Sequence, residues 1–345
     1  MVLMIAKNNL LFFRQMIKRK CFAWKNTEVD VKRCYFSLTF ILKTKKGKSM
    51  LLIRRFYISF MLVFGLALSS GSVAQAASST SDQSLKLYVL DGGVLEAGPA
   101  SYNLLEEEVE TTLLSLASFL IVHPDGVLLW DAGSVMEGER AGGAGTRQLI
   151  TRSDMRERPV TLGAPMLELL AEIGYSPEDV THLALSHYHW DHSANANLFA
   201  HAKWFVRPEE REAMFSPLPP GGNSSRPETF ADLRNSETIL VRDEEFDVFG
   251  DGLVVLKAAR GHTPGHQVLY VNLANTGGVV LAGDLYHYGE ERTLNRLPVA
   301  DFNVQQTRVA RVKLEEFLLR KDATLWIQHD LPAHRLLRKS PEFYD

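Results

Sequence analysis

Cysteine is almost absent from this chain. Its two cysteines, Cys21 and Cys34, both lie within the first 76 of the 345 residues. Residues 77–345 therefore contain no disulfide and no thiolate that could bind a metal. Any metal ion bound in this part of the chain must use nitrogen and oxygen atoms, which excludes cysteine-ligated metal centres.

Long hydrophobic segments are also lacking. The apolar run at residues 56–68 is shorter than the roughly 20 residues that a membrane-spanning helix needs. It follows Arg54 and Arg55 and precedes Ala74-Gln75-Ala76, which has the small-x-small pattern of a signal-peptidase site. We predict a signal peptide over residues 50–76, cleaved after Ala76, and a periplasmic or secreted protein without stable membrane anchoring. The alternative is an uncleaved membrane anchor.

Residues 1–49 are rich in Lys and Arg and show no steady periodicity. Because they precede a complete signal sequence, we interpret them as an over-extended start that forms no domain, with translation beginning at Met50. The alternative is a basic interaction arm. Residues 77–345 are numerous enough to form one domain with a substantial core, and we predict a single domain there.

The balance of charge changes when the leader is set aside. Of the 38 Lys and Arg residues, 14 lie in residues 1–76, whereas only 2 of the 41 Asp and Glu residues do, so residues 77–345 carry a formal net charge of −15. So acidic a chain repels nucleic acid unless it has a concentrated basic groove. The sequence shows no such groove, and it also lacks the G-x-S-x-G motif of serine hydrolases. We therefore expect no nucleic-acid partner and no serine triad.

Short strand-like runs recur along the chain with turns between them. We predict strands at residues 85–90, 118–122, 127–130, 182–185, 238–241, 253–257, 267–272, 279–282 and 324–327. We predict helices at residues 165–173, from about residue 193, and from about 304 to 319. Two successions of strands, each closed by helices, indicate an α/β fold with two sheets face to face and helices outside. Residues 134–160 and 208–235 are predicted loops, either substrate covers or irregular surface.

The most informative segment is Ser186-His187-Tyr188-His189-Trp190-Asp191-His192, directly after a predicted strand. Residues two apart on an extended segment point to one side, so His187 and His189 can bind one ion. After a turn at Trp190, Asp191 and His192 can face a second ion. A lone histidine near a strand end is usually a hydrogen-bonded polar residue, but four such groups together favour a metal site.

Three further potential ligands also follow predicted strands. They are His262 in Gly261-His262-Thr263-Pro264-Gly265-His266, Asp284 after Gly283, and His329 after Gln328. Each offers a nitrogen or an oxygen atom to the same kind of site.

With these residues in hand, the chain resembles the metallo-β-lactamase superfamily. The H-x-H-x-D-H motif, the glycine-flanked histidine, the glycine-preceded aspartate and the final histidine match in type and order, within residues 85–335. The resemblance implies a single-domain, four-layered αβ/βα sandwich. Within the superfamily the chain is most similar to the N-acyl-homoserine lactonases, on the basis of residues 86–88, 128–133 and 191–197.

The resemblance also implies a set of ligands. His187, His189 and His262 would bind one divalent ion, Asp191, His192 and His329 a second, and Asp284 would bridge them. Zinc suits these ligands best, although cobalt, manganese or iron could occupy similar ones. The family uses the aspartate at position 131 to orient a ligand histidine. We expect His266 to be a hydrogen-bonded neighbour of the site, and we interpret four other histidines as surface or packing residues: His123, His182, His201 and His334.

The implied reaction is opening of a lactone ring by metal-bound hydroxide, with Asp191 as the proton shuttle. Several lactonases have a tyrosine three residues after the bridging aspartate, but here that residue is His287, between Tyr286 and Tyr288. We predict that His287 polarises the substrate; the alternative is that a neighbouring tyrosine does so. We expect a small-molecule lactone substrate and a monomer or homodimer. Three loop residues are candidates for contact with the acyl chain: Met214, Phe215 and Leu218.

Four other functions compete with this prediction. Other β-lactamases lack a bridging aspartate such as Asp284, and glyoxalase II acts on an anionic glutathione thioester, which the acidic chain disfavours. A sulfur dioxygenase of this fold uses one iron, and a lactone-binding protein without activity would not need all seven ligands. If the lactonase prediction holds, an exported enzyme would quench quorum-sensing signals or use them as nutrients.

Overall fold

The computed structural model describes residues 84–217 and 224–345 in full, and between residues 3 and 53 the backbone of five strands only. These strands are β1 (Leu3–Ala6), β2 (Asn9–Phe12), β3 (Met16–Trp24), β4 (Val31–Lys43) and β5 (Ser49–Ile53). They pair as the antiparallel sheets β1-β2 and β3-β4-β5. The chain divides into two compact units, residues 1–77 and 78–345. The apolar run and cleavage site of the predicted signal peptide lie outside the described residues, as does Leu218.

The larger sheet of the second unit has nine strands. Its order is β13-β12-β11-β8-β7-β6-β10-β9, and β19 pairs with β6. The strands are β6 (Lys86–Glu96), β7 (Leu113–His123), β8 (Gly126–Trp130), β9 (Arg147–Thr151), β10 (Glu157–Leu162), β11 (His182–Ala184), β12 (Lys203–Val206), β13 (Thr238–Leu240) and β19 (Phe343–Tyr344). Antiparallel pairing on one side gives way to the parallel strands β8, β11, β12 and β13 on the other.

The smaller sheet has five strands in the order β14-β15-β16-β17-β18. They are β14 (Glu245–Asp247), β15 (Val254–Ala258), β16 (Gln267–Leu273), β17 (Gly277–Leu281) and β18 (Ala323–Trp326). The helices are α1 (Met166–Glu172), α2 (Trp190–Ser193), α3 (Pro208–Phe215), α4 (Gly289–Thr293), α5 (Val304–Lys321) and α6 (Leu331–Leu336). No helix in the described part of the chain combines the length and apolar character needed to cross a membrane.

Alternation of side chains along the strands produces the layers. In β8, Leu128 and Trp130 pack between the two sheets, whereas Leu129 faces the opposite side, toward α1. In β16, Leu269 lies between the sheets and Tyr270 packs under α5. Successive side chains of a strand point to opposite faces, so both sheets bury both faces. The predicted four-layered sandwich is confirmed.

The elements inside the predicted loops were missed. The segment 134–160 contains β9 and most of β10, and residues 208–215 form α3. Strand β9 is an edge strand of which only Ile150 is buried, so its sequence lacks an apolar pattern. The helix predicted from about residue 193 is also wrong, because α2 begins at Trp190 and ends at Ser193. The helix α2 thus contains Asp191 and His192, and its turn places both side chains near His329.

Candidate metal centre

The loops that follow strands of both sheets meet at one end of the sandwich. Strand β11 runs parallel to β8 in the larger sheet, and β17 runs parallel to β18 in the smaller one. His187 lies just beyond the end of β11, Asp284 beyond β17 and His329 beyond β18. The carboxyl ends of parallel strands share an edge of the sheet, and residues distant in the sequence therefore come together there.

The structure brings all seven predicted ligands into two groups. One group contains His187, His189, His262 and Asp284, and the other contains Asp191, His192 and His329. Within each group the potential ligand atoms lie within 4.8 Å of one another. Nitrogen and carboxylate oxygen at this spacing can surround a divalent ion.

Asp284 lies between the two groups. Its Oδ2 atom is 3.5 Å from His187 Nε2 and 3.3 Å from His262 Nε2. Its Oδ1 atom is 3.0 Å from the Nε2 atoms of both His192 and His329. Burial alone would raise the pKa of Asp284, but the surrounding histidines, led by His192, hold it well below its usual value. One carboxylate therefore presents a different oxygen to each group.

Several buried atoms at the centre have no hydrogen-bond partner within the described residues. These are His187 Nε2, His189 Nε2 and Asp284 Oδ1. Unsatisfied polar atoms in a protein interior are costly and require an explanation. Burial also lowers the pKa of His187 and of His189 well below the usual value, which favours the neutral imidazole that binds metals. The residues present thus fit two divalent ions.

Asp131 contacts His192, a member of the second group of ligands, at the ring nitrogen that faces away from Asp284. Its Oδ2 atom lies 2.8 Å from His192 Nδ1 and accepts a hydrogen bond of 2.8 Å from Gln328 Nε2. Its Oδ1 atom accepts a 2.6 Å hydrogen bond from the Ser186 backbone N–H. Asp131 adopts a φ of 60°, which is uncommon for a residue with a side chain. The sequence resemblance predicted that Asp131 orients a ligand histidine, and it contacts His192 in this way.

The other histidines of the centre are fixed by similar contacts. His262 Nδ1 lies 2.8 Å from Asp301 Oδ1, and His329 Nδ1 lies 2.7 Å from the Ser115 carbonyl oxygen. These contacts leave both Nε2 atoms directed at Asp284. A histidine held at one ring nitrogen presents the other nitrogen in a defined direction.

His266 supports Asp284 through the backbone. Its Nδ1 lies 3.1 Å from the Ala259 carbonyl oxygen, and its Nε2 accepts a 2.9 Å hydrogen bond from the Asp284 N–H. Gly283 makes this approach possible, because it adopts a φ of 50° and a Cβ there would lie 2.7 Å from His266 Nε2. His266 is the hydrogen-bonded neighbour that the sequence predicted.

Glu210 connects the two histidine-bearing loops. It accepts hydrogen bonds from the Tyr188 N–H at 2.9 Å and the Gly265 N–H at 2.7 Å. Thr263 Oγ1 donates to it at 2.8 Å. Burial raises the pKa of Glu210 to about 7 despite these bonds. Sequence reasoning missed Glu210, because a glutamate in a polar segment resembles a solvent-exposed residue.

His287 lies beside the bridging aspartate. Its Nε2 is 3.1 Å from Asp284 Oδ2, and its backbone N–H donates to Glu291 Oε2 at 2.6 Å. Burial opposes protonation, but Asp284 and Glu291 raise the pKa of His287. The neighbouring tyrosines have other partners: Tyr286 Oη lies 3.4 Å from Glu315 Oε1, and Tyr288 donates to the Ala97 carbonyl oxygen at 3.0 Å. Of these three residues, His287 lines the cavity above the centre.

Tyr102 is a second residue that the sequence did not reveal. Its ring centroid lies 4.1 Å from that of His287, and it lines the same cavity. Burial, reinforced by Asp284, raises the pKa of Tyr102 well above its usual value. The phenol therefore keeps its proton and can donate it in a hydrogen bond. No motif marks Tyr102, which comes from a 3₁₀ turn at Pro99–Tyr102, far from the other site residues in sequence.

The cavity over the centre has a volume of about 620 Å³. Its floor includes His189, Asp191, His262, Asp284 and His287. Its wall includes Tyr102, Trp190, Pro298 and three arginines, Arg152, Arg156 and Arg158. Carboxylates line the cavity as well, because Glu96, Asp154 and Asp301 lie beside these arginines. Arginines spaced along an edge hairpin, with acidic residues between them, do not stand out in the sequence.

Two residues predicted to contact the acyl chain lie elsewhere. Met214 is buried in the core beneath the larger sheet. The Phe215 ring packs against Trp204 and Phe230 in the same region, with centroids 6.2 and 6.1 Å away. The helix α3 turns these apolar side chains toward the core, so they do not line the cavity.

The remaining histidines lie away from the centre. His123 is 2.8 Å from Asp251, and His182 stacks on Phe205 at a centroid distance of 5.6 Å. His201 is exposed, and His334 is buried. Their interpretation as packing or surface residues agrees with these positions.

Comparison with known proteins identifies one matching family and similar sequences within it. The sequence model of the metallo-β-lactamase superfamily matches residues 111–329. The N-acyl homoserine lactonase AttM of Rhizobium radiobacter is 26% identical over 268 residues, which cover 75% of this chain and 98% of the relative. An N-acyl homoserine lactonase of a Bacillus species is 26% identical over 267 residues, covering 75% of this chain and 98% of its own.

Solved structures show the same fold. A mutant of AiiA from B. thuringiensis, with N-decanoyl-L-homoserine bound at its active site, superposes with a TM-score of 0.63 at 22% identity, over 76% of this chain and 99% of that one. AidC, a dizinc quorum-quenching lactonase, superposes with a TM-score of 0.53 at 16% identity, over 76% of this chain and 94% of that one.

Proposed function

Because the chain belongs to the metallo-β-lactamase superfamily, we propose that it hydrolyses the lactone ring of N-acyl-homoserine lactones with two divalent metal ions. The position of Asp284 carries this proposal, since its two oxygens face separate groups of nitrogen ligands. Relatives matched over nearly their whole length are named N-acyl homoserine lactonases, which supports the choice of substrate.

Each of the two groups of ligands corresponds to one metal ion. His187, His189 and His262 would hold one ion, Asp191, His192 and His329 would hold the other, and Asp284 would be available to both. Zinc is the ion that this set of imidazole and carboxylate ligands suits best. A pair of such ions lowers the pKa of a water molecule and polarises an ester carbonyl.

The residues of the chain place the substrate and move its protons. His287 and Tyr102 lie side by side over Asp284, so their ring N–H and phenolic O–H can donate hydrogen bonds to the lactone oxygens. Asp191 lines the cavity, and its Oδ2 lies 3.7 Å from His329 Nε2. From there it can deliver a proton to the alkoxide that leaves when the ring opens.

A thioesterase like glyoxalase II is the second candidate. The arginines in the cavity wall favour it, because they would attract an anionic thioester such as S-lactoylglutathione. The two candidates share the metal centre and differ in the substrate that the wall accepts.

The experiment is a substrate panel. Purified protein is incubated with N-acyl-homoserine lactones of several chain lengths, a β-lactam and S-lactoylglutathione, and acid release is followed at constant pH. We expect lactone opening that a chelator abolishes and added zinc restores. Absence of chelator-sensitive lactone opening would overturn the proposal, and faster hydrolysis of the thioester would favour the second candidate.

We also propose that the enzyme acts outside the cytoplasm, where it would intercept signalling lactones. The signal-peptide pattern of residues 50–76 supports this location. Cell fractionation followed by N-terminal sequencing checks it, with Ala77 as the expected first residue of the mature chain. A cytoplasmic protein that begins at Met1 would contradict both the predicted start and the predicted export.

A further inference from the structure

One wall of the cavity is basic, although the domain is acidic. The hairpin of β9 and β10 supplies Arg152, Arg156 and Arg158 to this wall, together with Asp154. The hairpin therefore offers three guanidinium groups and one carboxylate to the cavity. Two other carboxylates line the cavity but already have partners, Glu96 in Arg147 and Asp301 in His262. A charged, partly enclosed wall concentrates field lines and attracts ligands of opposite sign.

The arginines differ in how well they are neutralised. Arg152 is buried and forms a two-pronged ion pair with Asp154, in which one bond, from Nε to Oδ1, measures 3.1 Å. Arg156 is largely exposed, and its Nε lies 3.7 Å from the same Asp154 carboxylate. Asp154 is therefore already engaged by Arg152 and cannot neutralise the whole wall.

Arg158 has no ion pair within the described residues. Its hydrogen bond there joins its Nη1 to the Glu157 carbonyl oxygen, at 3.2 Å. The side chain is half-buried, and burial together with the nearby Arg152 lowers its pKa. A guanidinium group taken partly out of water without an anion is costly. An apolar acyl chain laid on this wall would remove more water from Arg158 without compensation.

We propose that this wall is a subsite for a carboxylate on the acyl part of the substrate, bound by Arg158 and Arg156. The planar guanidinium fork matches a carboxylate with two parallel hydrogen bonds. The inference rests on the proposed function, because it places the lactone ring over Asp284 and the far end of the acyl part at the hairpin. The preferred substrates are then lactones with an acidic acyl group, and simple fatty-acyl lactones are poorer ones.

Binding of two ring-opened products tests the subsite without turnover. N-adipoyl-homoserine and N-hexanoyl-homoserine have six-carbon acyl chains and differ by the terminal carboxylate. Calorimetric titration of the full-length, zinc-loaded protein should show about tenfold or tighter binding of the adipoyl compound, the size expected of a charge-assisted hydrogen bond. The preference should shrink in Arg158→Gln and disappear in the double variant Arg156→Gln/Arg158→Gln.

The variants are designed to leave the fold intact. Arg156 is exposed, and Arg158 bonds only to the backbone of its neighbour within the described residues. Arg335→Gln is the matched control, because Arg335 is exposed and does not line the cavity. It should keep the full preference, and the preference should weaken with added salt.

Two results would overturn the inference: equal affinity of the wild-type protein for both compounds, or an adipoyl preference that survives in the double variant. Opening of the corresponding lactones is measured in parallel. If neither lactone opens while the binding preference follows Arg158, the proposed function fails and the anion subsite stands. If both lactones open at equal rates and the products bind equally, only the subsite fails.

Discussion

The floor of the cavity consists of side chains that follow strands of both sheets, whereas much of its wall comes from the turn at Pro99–Tyr102 and the β9-β10 hairpin. On the floor, ligand histidines such as His192 and His329 are held at one ring nitrogen by Asp131 and by the Ser115 carbonyl. On the wall, Arg158 lacks an ion pair within the described residues. A fixed floor suits the chemistry common to a superfamily, and an adaptable wall suits the choice of substrate.

The largest effect is expected at the floor, in Asp284→Asn. The amide removes the negative charge and one oxygen ligand from between the two groups, so both ions should bind more weakly. We expect turnover to fall by about a thousandfold or more. Metal content per chain is measured by mass spectrometry on the same preparations. A variant that keeps both ions and full turnover would remove Asp284 from the centre.

Glu210→Gln tests whether Glu210 of α3 holds the two histidine-bearing loops of the metal centre in place. The replacement puts an NH₂ group where Glu210 now accepts only N–H and O–H donors, which should cost about 1–3 kcal/mol of stability. Displacement of the loops it holds should also weaken metal affinity by about 10–100-fold. Glu209→Gln, an exposed neighbour on the same helix, is the control. Denaturant unfolding and metal titration are the measurements, and equal behaviour of the two variants would exclude this role.

His287→Ala tests whether His287 polarises the substrate without binding a metal ion. Loss of the imidazole should cut the turnover number by about 10–100-fold, because one hydrogen-bond donor is removed. Metal content should stay unchanged, since all seven predicted metal ligands remain. His287→Gln, which keeps a donor, should recover part of the turnover. Unaltered turnover in the alanine variant would remove His287 from the reaction.

The smallest effect is expected for Tyr102→Phe. Tyr102 is part of the cavity wall, and its ring contacts His287. Removal of the hydroxyl should lower the turnover number by about tenfold or less. The loss should be equal for acidic and fatty-acyl lactones, because the Tyr102 ring packs against His287 beside the metal ligands. Steady-state kinetics on both substrates check this. A changed ratio between them would place Tyr102 in substrate selection instead.

The sequence revealed most of the floor because its chemistry is concentrated. Three histidines and an aspartate within residues 187–192 have few other reasons to occur together, and His262, Asp284 and His329 each follow a recognisable apolar strand. The layers were predictable for a related reason, since strands buried on both faces are continuous apolar runs.

The wall could not be predicted in this way. Strand β9 buries one residue, so it has no apolar alternation, and the arginines of the hairpin look like ordinary surface charge. Tyr102 contacts His287 although the two residues are far apart in the sequence, and Glu210 acquires its role only when Tyr188 and Gly265 approach it. Contacts between segments distant in sequence leave no local pattern.

Metal reconstitution tests the two-ion lactonase most directly. Metal-free protein is titrated with Zn²⁺ while bound metal and opening of N-hexanoyl-homoserine lactone are measured together. Two ions per chain are predicted, with full activity reached only as the second ion binds. Full activity at one ion per chain, or a single iron with oxygen consumption in place of lactone opening, would contradict the two-ion centre around Asp284.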